Sequence, residues 1–582
     1  MKRLTTLTML CGFGFLLFIG HSFVSCGDVL DPGSEVSPKE TQGADASATD
    51  SSPKETVAVK DNAPFVNKHV PYEKTWYGGS VMYQIFPRSF YDSNGDGVGD
   101  LKGIQAKLDY LNTGKSESTD DLKVAGVWLT PIFKSGSYHG YDVEDYKALD
   151  PNYGSMADFQ AFLDAAHKRG IKVILDLVIN HSSRNHPWFK DASSSEQASK
   201  RDWYVWSNEK LDWEHPFSPG QSPWRALGAW YFYGVFSTSM PDMNLKNTKV
   251  RDAFKDVIKF WLEKGVDGFR LDAIRYLIAE GKDKQKDSQS THEVLKEFVK
   301  YAQPVNKDVL FVGEAWTTTE EVARYFGQGD EMDLCFHFEL VDAVERAFQR
   351  GRASTIFQAM GHVLSHYKEL NFNSPILSNH DLKRLHPRLG KSWEASKAAS
   401  TLLLTLPGTP FVYYGDEIGL GNSAESGDKS KRSPMQWDTS KQAGFSKGLP
   451  WGRLSGSQDS TSVEVQSKDP NSLLSHYRNL IRLRNASSTL RFGDMTLLES
   501  SDPAVFAFLR SYKGERVIVF LNVSESKVAS TELKWNASWG DVPTGDVDDK
   551  VSGQKVKLSK SGDAALKLTD IAAYQSSVLI LP

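Results

Sequence analysis

The chain is 582 residues long, beyond one ordinary domain, which predicts a large core with smaller modules attached. A formal net charge of −5 leaves no basic excess and argues against a nucleic-acid partner. Aromatic residues make up 12% of it, with 15 Trp, 21 Tyr and 31 Phe, enough to fill an interior and to offer platforms for flat apolar ligand faces such as those of sugars.

Met1-Lys2-Arg3 is followed by an apolar run from Leu4 to Ile19 and then by Phe23-Val24-Ser25-Cys26. This reads as an export signal over 1–25, too short and wrongly flanked for a stable membrane span. The end of the run resembles a bacterial lipoprotein cleavage site, which implies that Cys26 becomes a lipidated first residue and anchors the protein to a membrane of the cell envelope. Phe23 departs from the usual Leu, so an ordinary cleaved signal and a secreted protein are the alternative. Residues 26–75 are rich in Ser, Thr, Asp, Glu, Lys, Ala and Pro and read as a disordered tether. With Cys11 in the signal and Cys335 in a buried strand, no disulfide framework is available.

From Trp76 onward strands alternate with helical patterns. Strands are predicted at 81–86, 124–129, 171–176, 268–272, 309–314, 334–338, 375–378 and 410–414, with helices such as 156–169 and 250–264 between them. Eight such units predict a (β/α)₈ barrel over 76–181 and 246–486. A doubly wound open sheet is the alternative, weakened because no Gly-x-Gly-x-x-Gly turn follows the first strand. The Trp-, Tyr- and Pro-rich stretch 182–245 reads as a small inserted domain after the third strand, and 487–582 as a C-terminal antiparallel β-sandwich.

Barrel strands end together at one face. In Gly268-Phe269-Arg270-Leu271-Asp272 alternation puts Arg270 and Asp272 on one side, where the guanidinium holds the carboxylate ionised. Alone, that pattern reads better as a structural ion pair. Strand five, however, ends in Glu314, strand seven in His380-Asp381, and strand three in Asp176 to His181. Asp272, Glu314 and Asp381 should therefore meet, and their mutual repulsion should keep one proton available near neutral pH. That suits glycoside cleavage, in which one carboxylate attacks the sugar and a second, about 5 Å away in retaining enzymes, protonates the leaving oxygen. Carboxylates can instead hold a metal, but His181 and His380 beside Arg270 make a poor hard-cation site.

The segments 176–181, 268–272, 312–316 and 377–381 resemble, in order and position, the signature regions of the α-amylase family of glycoside hydrolases. Met240-Pro241-Asp242-Met243-Asn244, Gly415 to Gly419 and Arg432 to Trp437 match further family motifs. The resemblance spans about 76–582. It implies Asp272 as nucleophile, Glu314 as general acid/base and Asp381 as the carboxylate that binds sugar hydroxyls. It further implies sugar contacts by Tyr141, Asp142, His181, Arg270, His380 and Arg384, with the Tyr141 ring beneath the sugar next to the scissile bond. Asp92-Ser93-Asn94-Gly95-Asp96-Gly97-Val98-Gly99-Asp100 alternates oxygen side chains with small residues, although Gly103 stands where an EF-hand has its bidentate Glu. An Asp/Gly-rich turn would read the same. The resemblance to oligo-1,6-glucosidase-like members implies a structural Ca²⁺ on Asp92, Asn94, Asp96, the Val98 carbonyl and Asp100.

Within the family, Ala273 after the nucleophile favours α-1,4 bonds, since oligo-1,6-glucosidases carry Val there. The segment 240–244 lies between the oligo-1,6-glucosidase and neopullulanase versions. Arg275-Tyr276 replaces the Lys-His that many α-amylases use on the leaving side. The reading is an endo-acting, retaining α-amylase on starch and maltodextrins, monomeric. The alternatives are an exo-acting α-glucosidase, a 4-α-glucanotransferase or isomerising transferase, and a starch-binding lipoprotein without activity, whose mark would be loss of Asp272 or Glu314.

Overall fold

The computed structural model describes residues 75–562 and 564–581. The signal, the tether and Cys26 lie outside the described residues, and Cys335 within them is buried and free. Among the described residues no helix is long and apolar enough to cross a membrane.

Eight parallel strands form one sheet: β1 Met82–Ile85, β2 Gly126–Leu129, β3 Lys172–Leu177, β4 Gly268–Leu271, β5 Leu310–Gly313, β6 Leu334–His337, β7 Asn373–Pro375 and β8 Phe411–Tyr413. Their order, β7-β6-β5-β4-β3-β2-β1-β8, is that of a barrel opened between β7 and β8. The Thr409 N–H closes this seam by donating to the Asn373 carbonyl at 2.9 Å. Gly408 makes the closure possible: its φ is +92°, and a Cβ there would lie 1.9 Å from the Asn373 oxygen. β7 runs over 373–375, ahead of the predicted 375–378. Pro375 has no N–H to carry the ladder onward, so it ends the strand, opposite His337, rather than beginning it.

Alternation along the strands sorts the side chains into two cores. Met82, Trp128, Ile174, Leu310, Val312, Leu334, Phe336 and Phe411 fill the barrel interior as one apolar cluster. Phe269, Leu271, Phe311 and Leu175 point outward into the larger core shared with the helices. The helices start on side-chain caps: Ser155 and Asp158 form a capping box for Met156–Lys168, and Asn247 caps Thr248–Glu263.

Between β3 and Thr248–Glu263 the chain builds a short helix, Pro187–Ala192, and a three-stranded antiparallel sheet, Trp206–Ser207, Trp224–Leu227 and Trp230–Tyr233. After the helix Leu473–Ala486 come β9 Asp494–Leu498, β10 Val505–Tyr512, β11 Glu515–Asn522, β12 Val528–Lys534, β13 Gly545–Asp548, β14 Lys555–Ser561, β15 Ala565–Ile571 and β16 Ser576–Ile580. They form two four-stranded antiparallel sheets, β9-β10-β11-β16 and β12-β15-β14-β13. Leu509, Ile518 and Phe520 of one sheet share a core with Leu533, Leu566 and Leu568 of the other. Phe506, Phe508 and Val519, on the opposite face of the first sheet, join the core of the barrel's helices.

Candidate active site

Register places the first charged pair. Asp176 on β3 is the Cα partner of Arg270 on β4, and both side chains point into the barrel above the apolar layer. Arg270 is fully buried. Its Nη1 donates to Asp176 Oδ1 and to Asp272 Oδ1, both at 2.7 Å. Its Nη2 lies 2.7 Å from Glu314 Oε2, an ionic contact whose angle does not make it a hydrogen bond. One guanidinium thus sits among three carboxylates, the geometry that a forked planar cation provides and an ammonium does not. Asp176, which the sequence reading left without a role, also accepts from Trp128 Nε1 (3.2 Å) and Tyr141 Oη (2.9 Å).

The residue after Asp272, Ala273, has φ 49° and ψ 39°, a left-handed conformation uncommon outside glycine. This turns the chain off β4 and directs the Ala273 N–H to Glu314 Oε2 at 3.0 Å.

On the β7 side, His380 Nδ1 lies 2.8 Å from Gln84 Nε2, an amide donor, so its proton belongs on Nε2. That Nε2 faces Tyr141 Oη at 2.6 Å and Asp381 Oδ2 at 3.1 Å, and the Tyr141 and His380 rings stack at 10°. Asp381 Oδ1 accepts from Arg432 Nη2 at 2.8 Å. Arg432 Nη1 in turn donates to Tyr138 Oη at 3.2 Å, and Tyr138 stacks on Trp451. Lys431 Nζ ties the Asp381 carbonyl (2.6 Å) to Asp428 (2.9 Å). The flank of the site beside Asp381 is therefore packed with ion pairs and rings. His181 is buried with its Nε2 lacking a protein partner, a polar atom ready for a ligand hydroxyl.

Electrostatics separates the carboxylates. Burial, then the charges of Asp272 and Asp381, push Glu314 up to about 7 against the pull of Arg270 and the Ala273 N–H. Asp272 is raised to about 6, mainly by burial, with Asp176 and Asp381 opposing Arg270. Asp381 is buried too, yet His380, Arg432 and Arg270 together hold it well below the usual carboxylate range. Burial pushes His181 down to about 3 and lowers His380 as well, so His181 is neutral near pH 7. The group holding a proton is Glu314, and the ionised ones beside it are Asp272 and Asp381. That distribution equips the site for acid/base chemistry at a buried, partly anionic centre.

Two residues expected to touch sugar make their observed hydrogen bonds to the scaffold. Arg384 is fully buried: it donates to the Tyr414 carbonyl and to the Lys431 carbonyl (3.1 Å) and lies over the Tyr413 and Tyr414 rings. Through its Nε and Nη1 and its planar face it positions the loop that carries Arg432, while its buried Nη2 has no hydrogen-bond partner. Asp142 accepts from Ser135 Oγ (2.6 Å) and from Ser137 Oγ, which fixes the loop presenting Tyr141. Arg275 is likewise structural: it pairs with Asp287 and donates to the Trp316 carbonyl at 2.6 Å, bracing the segment after Glu314. Tyr276 joins Phe217 and Phe236 in an aromatic group that reaches the His181 ring.

The loop 92–100 is folded by its own carboxylates. Asp92 accepts from the Gly95 and Gly97 amides, both at 2.7 Å, and from Ser446 Oγ at 2.5 Å. Asp96 accepts from the Val98 amide, and Asp100 caps the helix Leu101–Ala106 through Gly103. Its oxygen donors fit a hard cation by type. Among the described residues no three His, Cys, Asp or Glu side chains converge as a metal cluster, so an ion here would depend on the Asn94 amide oxygen and the Val98 carbonyl.

Comparison with known proteins agrees with this geometry. Residues 84–493 match the family model for the α-amylase catalytic domain. The chain is 35% identical to an α-amylase 3 of Dictyoglomus thermophilum, over 78% of this chain and 86% of that one. It is 34% identical to an oligo-1,6-glucosidase of Parageobacillus thermoglucosidasius, over 78% and 91% respectively. The crystal structure of an α-amylase from H. orenii superposes with a TM-score of 0.77 at 35% identity, covering 86% of this chain and 99% of that one. The chain belongs to the α-amylase family and is a glycoside hydrolase.

Proposed function

We propose that this enzyme is a retaining, exo-acting α-glucosidase-type hydrolase that removes units from the ends of malto-oligosaccharides and related short α-glucans. Asp272 attacks the anomeric carbon while Glu314 gives its proton to the leaving oxygen, forming a glycosyl-enzyme ester. Water then attacks the same carbon, returns a proton to Glu314 and frees Asp272, with net retention of configuration. Asp381 and His380 hold sugar hydroxyls, and Arg270 keeps Asp272 ionised.

The observation that carries the exo reading is the packed flank of Asp381, Arg432, Tyr138 and Trp451, which suits a chain end better than a continuing groove. Similarity across 91% of an oligo-1,6-glucosidase weighs the same way. The endo reading put first by the sequence is second here. Ala273 in place of Val and the two 35% α-amylase relatives favour it. Chromatography of products from maltoheptaose decides between them. Glucose and maltohexaose appearing first support exo action; mixed maltodextrins at the same early time support endo action, and products longer than the substrate a transferase.

A Ca²⁺ held by Asp92, Asn94, Asp96, the Val98 carbonyl and Asp100 belongs to the proposal as a structural ion that braces the loop leading from β1. Its support is donor type and spacing. The lipid anchor at Cys26 is proposed from the signal alone; detergent-phase partitioning of the protein but not of Cys26→Ser tests it.

A further inference from the structure

The inserted segment carries a cleft that the catalytic site does not use. Trp206 pairs with Phe232, and Trp230 lies two residues before Phe232 on the same strand, so alternation puts both indoles on one face of the three-stranded sheet. Arg201, from the turn before that sheet, is stacked against them, its guanidinium carbon 3.6 Å from the Trp206 ring centre and 4.8 Å from that of Trp230. Trp206 also stacks on Phe189 at 14°. Trp230 is half-buried and has no aromatic partner among the described residues. Arg201 Nη1 donates to the Ala192 carbonyl at 3.2 Å, while its buried Nη2 has no hydrogen-bond partner. Around these groups opens a depression of about 520 Å³, rimmed by Glu196, Asp202 and Lys249.

The chemistry selects the ligand class. Arg201 and Lys249 balance Glu196 and Asp202, so neither an anion nor a polycation gains from the rim as a whole. An indole beside fixed charged donors and acceptors suits a neutral, polyhydroxylated molecule with an apolar ring face. We propose that this cleft is a second α-glucan-binding site, separate from the catalytic carboxylates, in which a pyranose ring lies against Trp230, held by the Arg201 guanidinium stacked on it, and its hydroxyls meet Glu196, Asp202 and Lys249 of the rim. The identity of the sugar rests on the α-glucan reading above; the site's geometry does not.

Affinity electrophoresis through amylopectin tests it, with Asp272→Asn as the parent so that the polymer survives. Adding Trp230→Ala should weaken retardation at least five-fold, and Arg201→Lys should weaken it as well. In the active enzyme Trp230→Ala should leave kcat/KM on 4-nitrophenyl α-glucoside within two-fold, which shows that the fold and the catalytic site are intact. Unchanged retardation overturns the proposal, and so does an equal loss on the short substrate or a parent that is not retarded at all. Retardation that depends on Trp230 in a protein whose wild type hydrolyses no α-glucan would instead overturn the catalytic reading and leave this site standing.

Discussion

The backbone N–H of Ala273 donates to Glu314 Oε2 at 3.0 Å, joining the residue after Asp272, the proposed nucleophile, to the proposed acid/base. The bond exists because Ala273 takes a left-handed backbone, and that conformation is what the site needs at 273, not the methyl group. Ala273→Gly should keep kcat within about three-fold and leave Tm nearly unchanged, because glycine reaches this φ without strain. Steady-state kinetics and thermal melts check both. A large loss of turnover would show that the methyl group itself contacts substrate.

In the proposed mechanism turnover requires Asp272 ionised and Glu314 protonated. With Asp272 at about 6 and Glu314 at about 7, kcat/KM should rise as pH passes about 6 and fall as it passes about 7. The profile should be a narrow bell between them. Replacing Glu314 should remove the alkaline limb from whatever activity remains.

Glu314 also links pH to stability. Its folded pKa is raised above the ordinary carboxylate value of about 4.3, so its favourable contribution is full below that value and is lost as pH rises through about 7. Gln does not titrate and does not lose it. Glu314→Gln should therefore raise Tm more at pH 8 than at pH 5, with turnover reduced at least 1,000-fold on the order expected for loss of acid/base assistance. Differential scanning calorimetry at the two pH values reads the sign directly.

If the loop 92–100 holds Ca²⁺, chelation should lower Tm by several degrees, and Ca²⁺ should restore it better than Mg²⁺, which demands a tighter octahedral shell. Asp96→Ala should abolish the restoration: Asp96 accepts one bond from the Val98 amide and one from Asn94, fewer than Asp92, so its loss disturbs the loop's own hydrogen bonds less.

Much of this architecture was legible because alternation and strand ends are local signals. Arg270 and Asp272 sharing one face, and Glu314 and Asp381 following their strands, need only a period of two and the barrel rule. The partners supplied by long loops were less legible. Arg432 reaches Asp381 from 51 positions away, and its motif carries no sign of that role because spacing says nothing of a loop's path. Asp176 belongs to a recognisable segment, but its part in the Arg270 cluster follows from the β3–β4 register, which a single strand does not carry. Arg384 shows the converse: a polar residue inside a recognised motif can lie against the scaffold when carbonyls nearby accept from its donors.

The most direct test of the central claim, nucleophilic attack by Asp272 with proton transfer from Glu314, is proton NMR of the anomeric signals during the first minutes of maltoheptaose hydrolysis. Newly formed sugar should appear as the α-anomer and only later mutarotate to β, and Asp272→Asn should form neither. A β-anomer appearing first, or normal turnover by Asp272→Asn, would contradict the claim.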